Sequence, residues 1–178
     1  MTYPAMRKFL EKAANSDITI ESFTTSDLGR TVEILNEYPD AKHLEPDQVV
    51  DIECDIWIPA ARPDVVYEGN VARLNTKLVV QGANIPFTPG AEKYLHDRGV
   101  LCVPDFIANA GGVICAAMEY AGANQAAAMA TIEEKLRHNT REVLEDAKAQ
   151  GIMPRQAALQ LAERRVRSAM GLRRWSLF

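Results

Sequence analysis

The stretch from Gly99 to Val113 constrains the fold more than any other part of this 178-residue chain. It begins with Val100–Val103, a short apolar run between a glycine and a proline, which is typical of a buried parallel strand. Asn109-Ala-Gly-Gly112 follows and opens Val113–Tyr120, whose composition favours a helix. The paired glycines let a flat ligand approach the backbone, and the asparagine amide can donate and accept hydrogen bonds. The stretch fits a site for an amide-bearing ligand, and a plain loop with a glycine hinge is the alternative.

Helices and strands alternate along the rest of the chain. The patterns predict a helix at Pro4–Ala14, a strand at Asp17–Phe23, a helix at Leu28–Glu37, and strands at Cys54–Ile58 and Lys77–Val80. Shorter helical turns are predicted at Glu45–Asp51 and Val71–Leu74, with a linker or short strand at Asp40–Leu44. This alternation predicts a doubly wound α/β fold with a mostly parallel sheet.

Three helices in the second half have clear boundaries. Thr88 is the expected N-cap of a helix with Pro89 at its first position and Gly99 just past its end. Two long amphipathic helices, Ala123–Gln150 and Pro154–Leu172, follow. The apolar face of the last helix is predicted to comprise Ala158, Leu161, Ala162, Val166 and Met170. Its arginine-rich end is expected to be a solvated surface.

Composition excludes several classes of function. The chain is 47% hydrophobic, which suits one compact domain, and its net charge of −4 argues against binding nucleic acid or anionic membranes. No apolar run approaches the roughly 18 residues of a membrane span, and no signal peptide opens the chain. Cys54, Cys102 and Cys115 are expected to be reduced core residues of a cytoplasmic protein. No metal site is expected, because no Cys or His residues are paired at ligand spacing.

Seven ordered motifs resemble one family, the glutamate/leucine/phenylalanine/valine dehydrogenases. The resemblance is to the C-terminal, nucleotide-binding half of these enzymes, and it is clearest from Asp51 to Arg174. The motifs are Glu53–Ala61, Val79–Asn84, Pro86, Thr88–Pro89, Gly99–Val100, Val103–Asp105 and Asn109–Val113. The resemblance implies a Rossmann-like fold, with residues 1–150 as a dinucleotide-binding domain that lacks its first strand. Residues 151–178 would then be a C-terminal helix packed toward an N-terminal domain that is missing here.

The resemblance also implies roles for individual residues. Asn109 would hold the nicotinamide carboxamide, Asn84 would lie near the nicotinamide ribose, and Ala60 and Ala61 would lie along NAD or NADP. Val113 would face the substrate, an amino acid or its 2-oxo acid. No lysine lies in a glycine-rich catalytic motif, so this chain is expected to contain no catalytic residues. The complete enzymes form hexamers, so a homo-oligomer is expected for the whole protein.

Two departures from the family pattern limit these expectations. The sequence contains no Gly-x-Gly-x-x-Gly, and by position the phosphate-binding loop would lie just before Met1, so binding of NAD or NADP is expected to be weak. Thr24, Thr25 and Asp27 lie near the expected ribose-binding position and do not choose between the two cofactors. Glutamate-specific members carry a serine where this chain has Ala116, which makes an apolar amino acid plausible as substrate.

Two functions therefore remain open from the sequence. The chain could be the cofactor-binding part of an amino-acid dehydrogenase, inactive alone, or a stand-alone module that binds a nucleotide or a partner without catalysis. Upstream DNA that encodes an in-frame glycine-rich loop and a catalytic lysine would decide for the enzyme. In either case an uncovered sheet edge is expected to need a partner chain or a displaced segment.

Overall fold

The architecture is α/β with parallel strands, as predicted. The structure is a computed structural model that describes residues 22–23 and 28–171. The described residues fall into two units. One contains those up to Glu53 together with Ala72–Asn75, and the other contains Cys54–Val71 and the residues from Thr76 onward. The predicted helix at Pro4–Ala14 lies outside the described residues.

The first unit contains a β–α–β arrangement. Strand β1 (Ser22–Phe23) pairs in parallel with β2 (Lys42–His43), and helix α1 (Leu28–Glu37) lies between them in the chain. A 3₁₀ helix at Pro46–Asp51 follows, and Arg73 from a second 3₁₀ helix, Val71–Arg73, binds the Asp51 carboxylate with Nε 2.6 Å from Oδ1. The strand at Asp17–Phe23 is confirmed at its last two residues, and the residues before Ser22 lie outside the described part.

The second unit is built on a three-stranded parallel sheet. Strands β3 (Cys54–Trp57), β4 (Thr76–Val80) and β5 (Leu101–Val103) pair in the order β3-β4-β5. The register places Trp57 opposite Val79, and Val79 opposite Cys102. The ring of Trp57 meets that of Phe87 edge to face, with centroids 5.9 Å apart. All three predicted strands are confirmed within one or two residues at their ends, and the covering of an open sheet edge by a partner chain stays a prediction.

Helix α2 (Pro89–Asp97) has the predicted boundaries. The Thr88 hydroxyl accepts a hydrogen bond from the Ala91 N–H at 3.3 Å, and Pro89 occupies the first turn. Gly99 has φ +80°, a left-handed conformation that favours glycine and ends the helix. The chain therefore turns directly from α2 into β5.

Four further helices complete the second unit: α3 (Asp105–Ala108), α4 (Gly111–Tyr120), α5 (Gln125–Gln150) and α6 (Pro154–Gly171). One apolar cluster joins β5, α3, α5 and α6. Its buried members are Val103, Ile107, Val143, Ala147, Ala157, Ala158 and Leu161. The long helices thus pack against the strand that leads into the Asn109 motif.

The predicted apolar face of α6 is buried only in its first half. Ala158 and Leu161 are buried, whereas Ala162, Val166 and Met170 are exposed. The helix continues past the edge of the cluster, so no described residue of this unit covers the residues that follow at the same helical spacing. The packing of this outer half toward a further domain stays a prediction.

The described residues lack both a membrane-spanning helix and a group of metal ligands. No helix in residues 28–171 combines the length and apolarity needed to cross a membrane. Within the same residues, no three His, Cys, Asp or Glu side chains are grouped so that they could hold a metal ion.

All three cysteines are free thiols, and only Cys102 is fully buried. Burial, together with the nearby Glu92 charge, raises the pKa of the Cys102 thiol to about 12, so this thiol stays protonated.

Candidate functional site

The carboxyl ends of β3, β4 and β5 meet at one edge of the sheet, here called the carboxyl edge. Backbone hydrogen bonds join the loop after β4 to the end of β5 and to the loop after β3. The Gln81 N–H donates to the Val103 carbonyl at 3.2 Å, and the Ala83 N–H donates to the Pro59 carbonyl at 2.7 Å. Carboxyl edges of this kind are where open α/β sheets bind ligands.

Two predicted site residues meet at this edge. Asn109 Nδ2 donates a hydrogen bond to Asn84 Oδ1 at 2.8 Å, although the residues are 25 positions apart. Asn84 is exposed and Asn109 is half-buried, so a ligand can reach the pair. The bond leaves the Asn109 carbonyl oxygen and the Asn84 amide group available for a further polar ligand. The structure thus brings these two side chains together, and their binding of a cofactor stays a prediction.

The Asn109 side chain bonds Asn84 and does not cap helix α4. The N-cap of α4 is Ala110, which makes no side-chain capping bond, while the Asn109 amide bonds Asn84. Gly111 and Gly112 lie in the first turn of α4, so a plain loop with a glycine hinge does not describe this stretch. The Asn109 amide therefore contributes to the edge and not to a helix end.

The residue after Asn84 has a strained backbone. Ile85 has φ +48°, which is rare for a β-branched residue and costs about 1–3 kcal/mol. Two hydrogen bonds hold it there: its N–H donates to Asp105 Oδ2 at 2.9 Å, and its carbonyl accepts from the Asp64 N–H at 2.9 Å. The conformation beside Asn84 is thus fixed by the loop after β5.

A buried polar group, here called the Arg155 cluster, lies behind the two asparagines. Arg155 Nε bonds Glu92 Oε2 at 2.5 Å, and its Nη2 bonds Gln81 Oε1 at 2.9 Å and lies 3.0 Å from Asp105 Oδ1. Gln81, Glu92 and Asp105 are all buried. The Arg155 cluster therefore joins the start of α6 to α2 and to the loops after β4 and β5.

Charge pairing in the Arg155 cluster stabilises its ionised forms. Burial alone would raise the pKa of Asp105, but the Ile85 N–H and the Arg155 guanidinium outweigh it, so the pKa lies below its usual value. Burial would lower the pKa of Arg155, but Glu92 and Asp105 together raise it. Among the described residues, Gln81 Nε2, Glu92 Oε1 and Asp105 Oδ1 are buried without a hydrogen bond. The Asp105 Oδ1 contact with Arg155 is thus an attraction of charges that lacks hydrogen-bond geometry.

Small residues keep the neighbouring part of the edge open. Ala60 and Ala61, both predicted site residues, are exposed in the loop after β3. A Cβ placed on Gly82 would lie 3.2 Å from the Ala60 Cβ, so a side chain at position 82 would press on the loop after β3. Two loops thus run side by side with little side-chain bulk above them.

The predicted substrate residues lie on α4. Val113 is 77% exposed and Ala116, three residues later, is also exposed, so both can be reached from solvent. The other side of α4 packs on α5, where a Cβ on Gly111 would lie 3.4 Å from Ile132 Cγ2. Contact of Val113 and Ala116 with a substrate stays a prediction.

Comparison with known proteins decides the family. The family model for glutamate/leucine/phenylalanine/valine dehydrogenase matches residues 14–174. The chain belongs to this family. It is 33% identical over 156 residues to a glutamate dehydrogenase of Aeropyrum pernix, an alignment that covers 82% of this chain and 37% of the relative.

A second curated relative agrees with this family, and a solved structure shares the fold. A leucine dehydrogenase of Thermoactinomyces intermedius is 35% identical over 127 residues, which is 71% of this chain and 34% of the relative. The crystal structure of an L-tryptophan dehydrogenase from Nostoc punctiforme has a TM-score of 0.78 at 22% identity, covering 92% of this chain and 48% of that one. This last likeness is one of fold. The chain spans little more than a third of the length of these two curated amino-acid dehydrogenases.

Sequence reasoning missed the Arg155 cluster. A detectable signal existed, because Arg155 lies three residues before the buried Ala158 and therefore on the core side of α6. Glu92 likewise lies three residues before the buried Leu95 on α2. A charge of each sign at core spacing on two helices predicts a buried pair. Thr24, Thr25 and Asp27, considered for the ribose, lie outside the described residues.

Proposed function

We propose that this chain is the cofactor-binding part of an NAD(P)-dependent amino-acid dehydrogenase. The complete enzyme would convert an L-amino acid and water reversibly to a 2-oxo acid and ammonia. Membership of the family supports the reaction class, and the hydrogen-bonded pair Asn84–Asn109 at the carboxyl edge carries the assignment of the cofactor site. The nicotinamide ring, when bound, accepts the hydride from the substrate.

The asparagine pair suits a carboxamide on chemical grounds. A carboxamide has one carbonyl acceptor and one amide donor, and the pair offers the complementary groups on adjacent side chains. Asn109 would accept from the ligand amide, and Asn84 would donate to the ligand carbonyl or to a ribose hydroxyl. Ala60, Ala61 and Gly82 would let the remainder of the ligand lie close to the backbone. The role of this chain is thus to bind and orient the cofactor.

The complete activity would need groups that this chain does not supply. No glycine-rich catalytic lysine motif is present in the sequence, and no Gly-x-Gly-x-x-Gly loop provides backbone donors for a pyrophosphate. We therefore expect no dehydrogenase turnover from the 178 residues alone and only weak binding of NAD or NADP. A homo-oligomer, with a hexamer as the expected form, would be assembled by the whole protein.

The substrate class is proposed from α4. With alanine at position 116, the residue one helical turn after Val113 offers no hydroxyl to a substrate carboxylate. A carboxylate that loses a hydrogen-bond donor on binding is disfavoured, so an apolar amino acid fits better than glutamate.

Nuclear magnetic resonance on the ¹⁵N-labelled chain tests the cofactor site. NADH, NADPH and ADP-ribose, which lacks nicotinamide, are titrated separately. We expect weak binding in which only the two nicotinamide compounds shift the side-chain amide signals of Asn84 and Asn109. Shifts confined to other residues, or none at millimolar ligand, would contradict the proposal and favour a stand-alone module that binds a partner.

A further inference from the structure

We propose that Arg155 is a positioning residue that sets the geometry of the Asn84–Asn109 pair. The guanidinium joins the two segments that carry the asparagines, which are the loop after β4 and helix α3, whose C-cap is Asn109. The functional meaning of this role rests on the proposed function, in which the pair holds the cofactor.

Arg155 reaches both loops from a third element. Its Nη2 bonds Gln81 Oε1 at 2.9 Å in the loop after β4 and lies 3.0 Å from Oδ1 of Asp105, the first residue of α3. Its Nε bonds Glu92 at 2.5 Å, which fixes the plane of the guanidinium. A planar fork of donors can make these contacts together, whereas the single ammonium of lysine cannot.

Asp105 links Arg155 to both asparagines. Asp105 Oδ2 accepts from the N–H of Ile85, the neighbour of Asn84, at 2.9 Å. The backbone carbonyl of Asp105 accepts from the N–H of Asn109 itself at 2.7 Å. Asp105 therefore bonds Asn109 and the neighbour of Asn84, and Arg155 pairs with Asp105.

The energetics of the Arg155 cluster argue for a positional role. Three buried polar atoms of its members lack hydrogen bonds among the described residues, and the adjacent Ile85 is held at φ +48°. Buried ion pairs often stabilise a fold no more than apolar residues of the same volume would. We therefore attribute the Arg155 cluster and the strained Ile85 backbone to the geometry that they impose on the proposed ligand site.

The test compares Arg155→Lys with Arg164→Lys, a matched change on the exposed part of the same helix. The readouts on the ligand-free ¹⁵N-labelled chain are the side-chain amide signals of Asn84 and Asn109 and the backbone signal of Ile85. We expect Arg155→Lys to remain folded, to shift all three signals and to broaden those of the amides. Arg164→Lys is expected to leave them unchanged. Unchanged signals in a folded Arg155→Lys chain would overturn the proposal.

A second variant covers the case in which Arg155→Lys does not fold. Asp105→Asn keeps an oxygen that can accept from the Ile85 N–H but removes the charge that faces Arg155. The same signals are expected to shift, and unchanged signals would overturn the proposal.

Ligand binding separates this proposal from the proposed function. We expect Arg155→Lys to weaken NADH binding about tenfold, the effect of one lost hydrogen-bonding arrangement, and to leave ADP-ribose binding unchanged. An equal loss for both ligands would contradict positioning of the pair. If NADH fails to shift the asparagine signals of the unaltered chain, the proposed function fails, while the ligand-free comparison still tests the positioning.

Discussion

Helix α6 carries two arginine networks that differ in burial. Near its start, the Arg155 side chain is 27% exposed, and its carboxylate partners Glu92 and Asp105 are 3% and 10% exposed. Nine residues later, Arg164 is 52% exposed and pairs with Glu142 and Asp146, both about one-third exposed, at 3.4 and 3.0 Å. Arg165 adds bonds of 2.9 Å to Asn139 and Glu142. These residues of α5 and α6 are here called the Arg164 network.

The difference follows from the position of each network relative to the apolar cluster. The first half of α6 buries Ala157, Ala158 and Leu161, so an arginine on that side is drawn out of water. The second half extends beyond the cluster, and its charges keep their hydration. Desolvated charges need close, well-oriented partners, whereas exposed pairs stabilise little because water and salt screen them. Similar ion pairs on one helix can therefore fix a geometry in one place and act mainly as solvated surface in another.

The largest expected effect separates the two networks by stability. Arg155→Met leaves the Glu92 and Asp105 carboxylates buried without their cation, so we expect a loss of about 3–5 kcal/mol in the free energy of unfolding. Arg164→Met exposes its partners to water and should cost less than about 1 kcal/mol. Urea denaturation of both variants measures the difference, and equal losses would remove the distinction between the networks.

The second-largest expected effect is on kcat/KM, and it compares an asparagine near the Arg155 cluster with one in the Arg164 network. In a complete dehydrogenase that carries this chain, Asn109→Ala should lower kcat/KM about 10- to 100-fold, or about 1.4–2.7 kcal/mol, because the cofactor loses orientation. Stability should change little, since the Asn109 amide caps no helix. The matched control is Asn139→Ala, which removes only the surface bond to Arg165. A destabilised Asn109→Ala enzyme with normal kinetics would instead give this residue a structural role.

Much of the second unit was predictable because local signals agree with the tertiary contacts. Thr88, Pro89 and Gly99 specify α2 by local backbone chemistry, and the structure confirms all three roles. The strand pattern likewise placed Asn84 and Asn109 after neighbouring strands. Parallel pairing then brings them to one edge, as their 2.8 Å hydrogen bond shows.

The Arg155 cluster was not predicted, and the extent of burial along α6 could not be read from the sequence. Helical periodicity tells which residues share a face but not where the covering element ends, so it does not show that Val166 and Met170 are exposed within this unit while Leu161 is buried. Arginine is usually solvated, and only its pairing with a distant Glu92 makes burial of Arg155 acceptable. Core spacing marks each of the two residues separately, but their pairing spans 63 positions, so no local pattern links one to the other.

A smaller effect is expected on substrate preference, and it tests whether α4, beside the carboxyl edge, contacts the substrate. In a complete dehydrogenase, Ala116→Ser should raise the preference for glutamate over leucine or valine by about 1–2 kcal/mol if the new hydroxyl meets the substrate carboxylate. Ala117→Ser, at the next exposed alanine of α4, is the control and should leave the preference unchanged. The ratio of kcat/KM values for the two substrates measures the effect. An unchanged ratio in Ala116→Ser would place substrate selection elsewhere.

The smallest expected effect is the response of each network to salt. Raising NaCl to about 1 M shortens the screening length to about 3 Å, which weakens exposed ion pairs far more than buried ones. The cost of Arg164→Met, already below about 1 kcal/mol, should therefore fall toward zero in high salt. The cost of Arg155→Met should stay nearly constant, because low exposure keeps ions from Glu92 and Asp105. Urea titrations of the unaltered chain and both variants at low and high salt measure these differences. If salt lowers the cost of both substitutions by the same amount, solvent reaches the Arg155 cluster. The two networks would then differ in geometry alone.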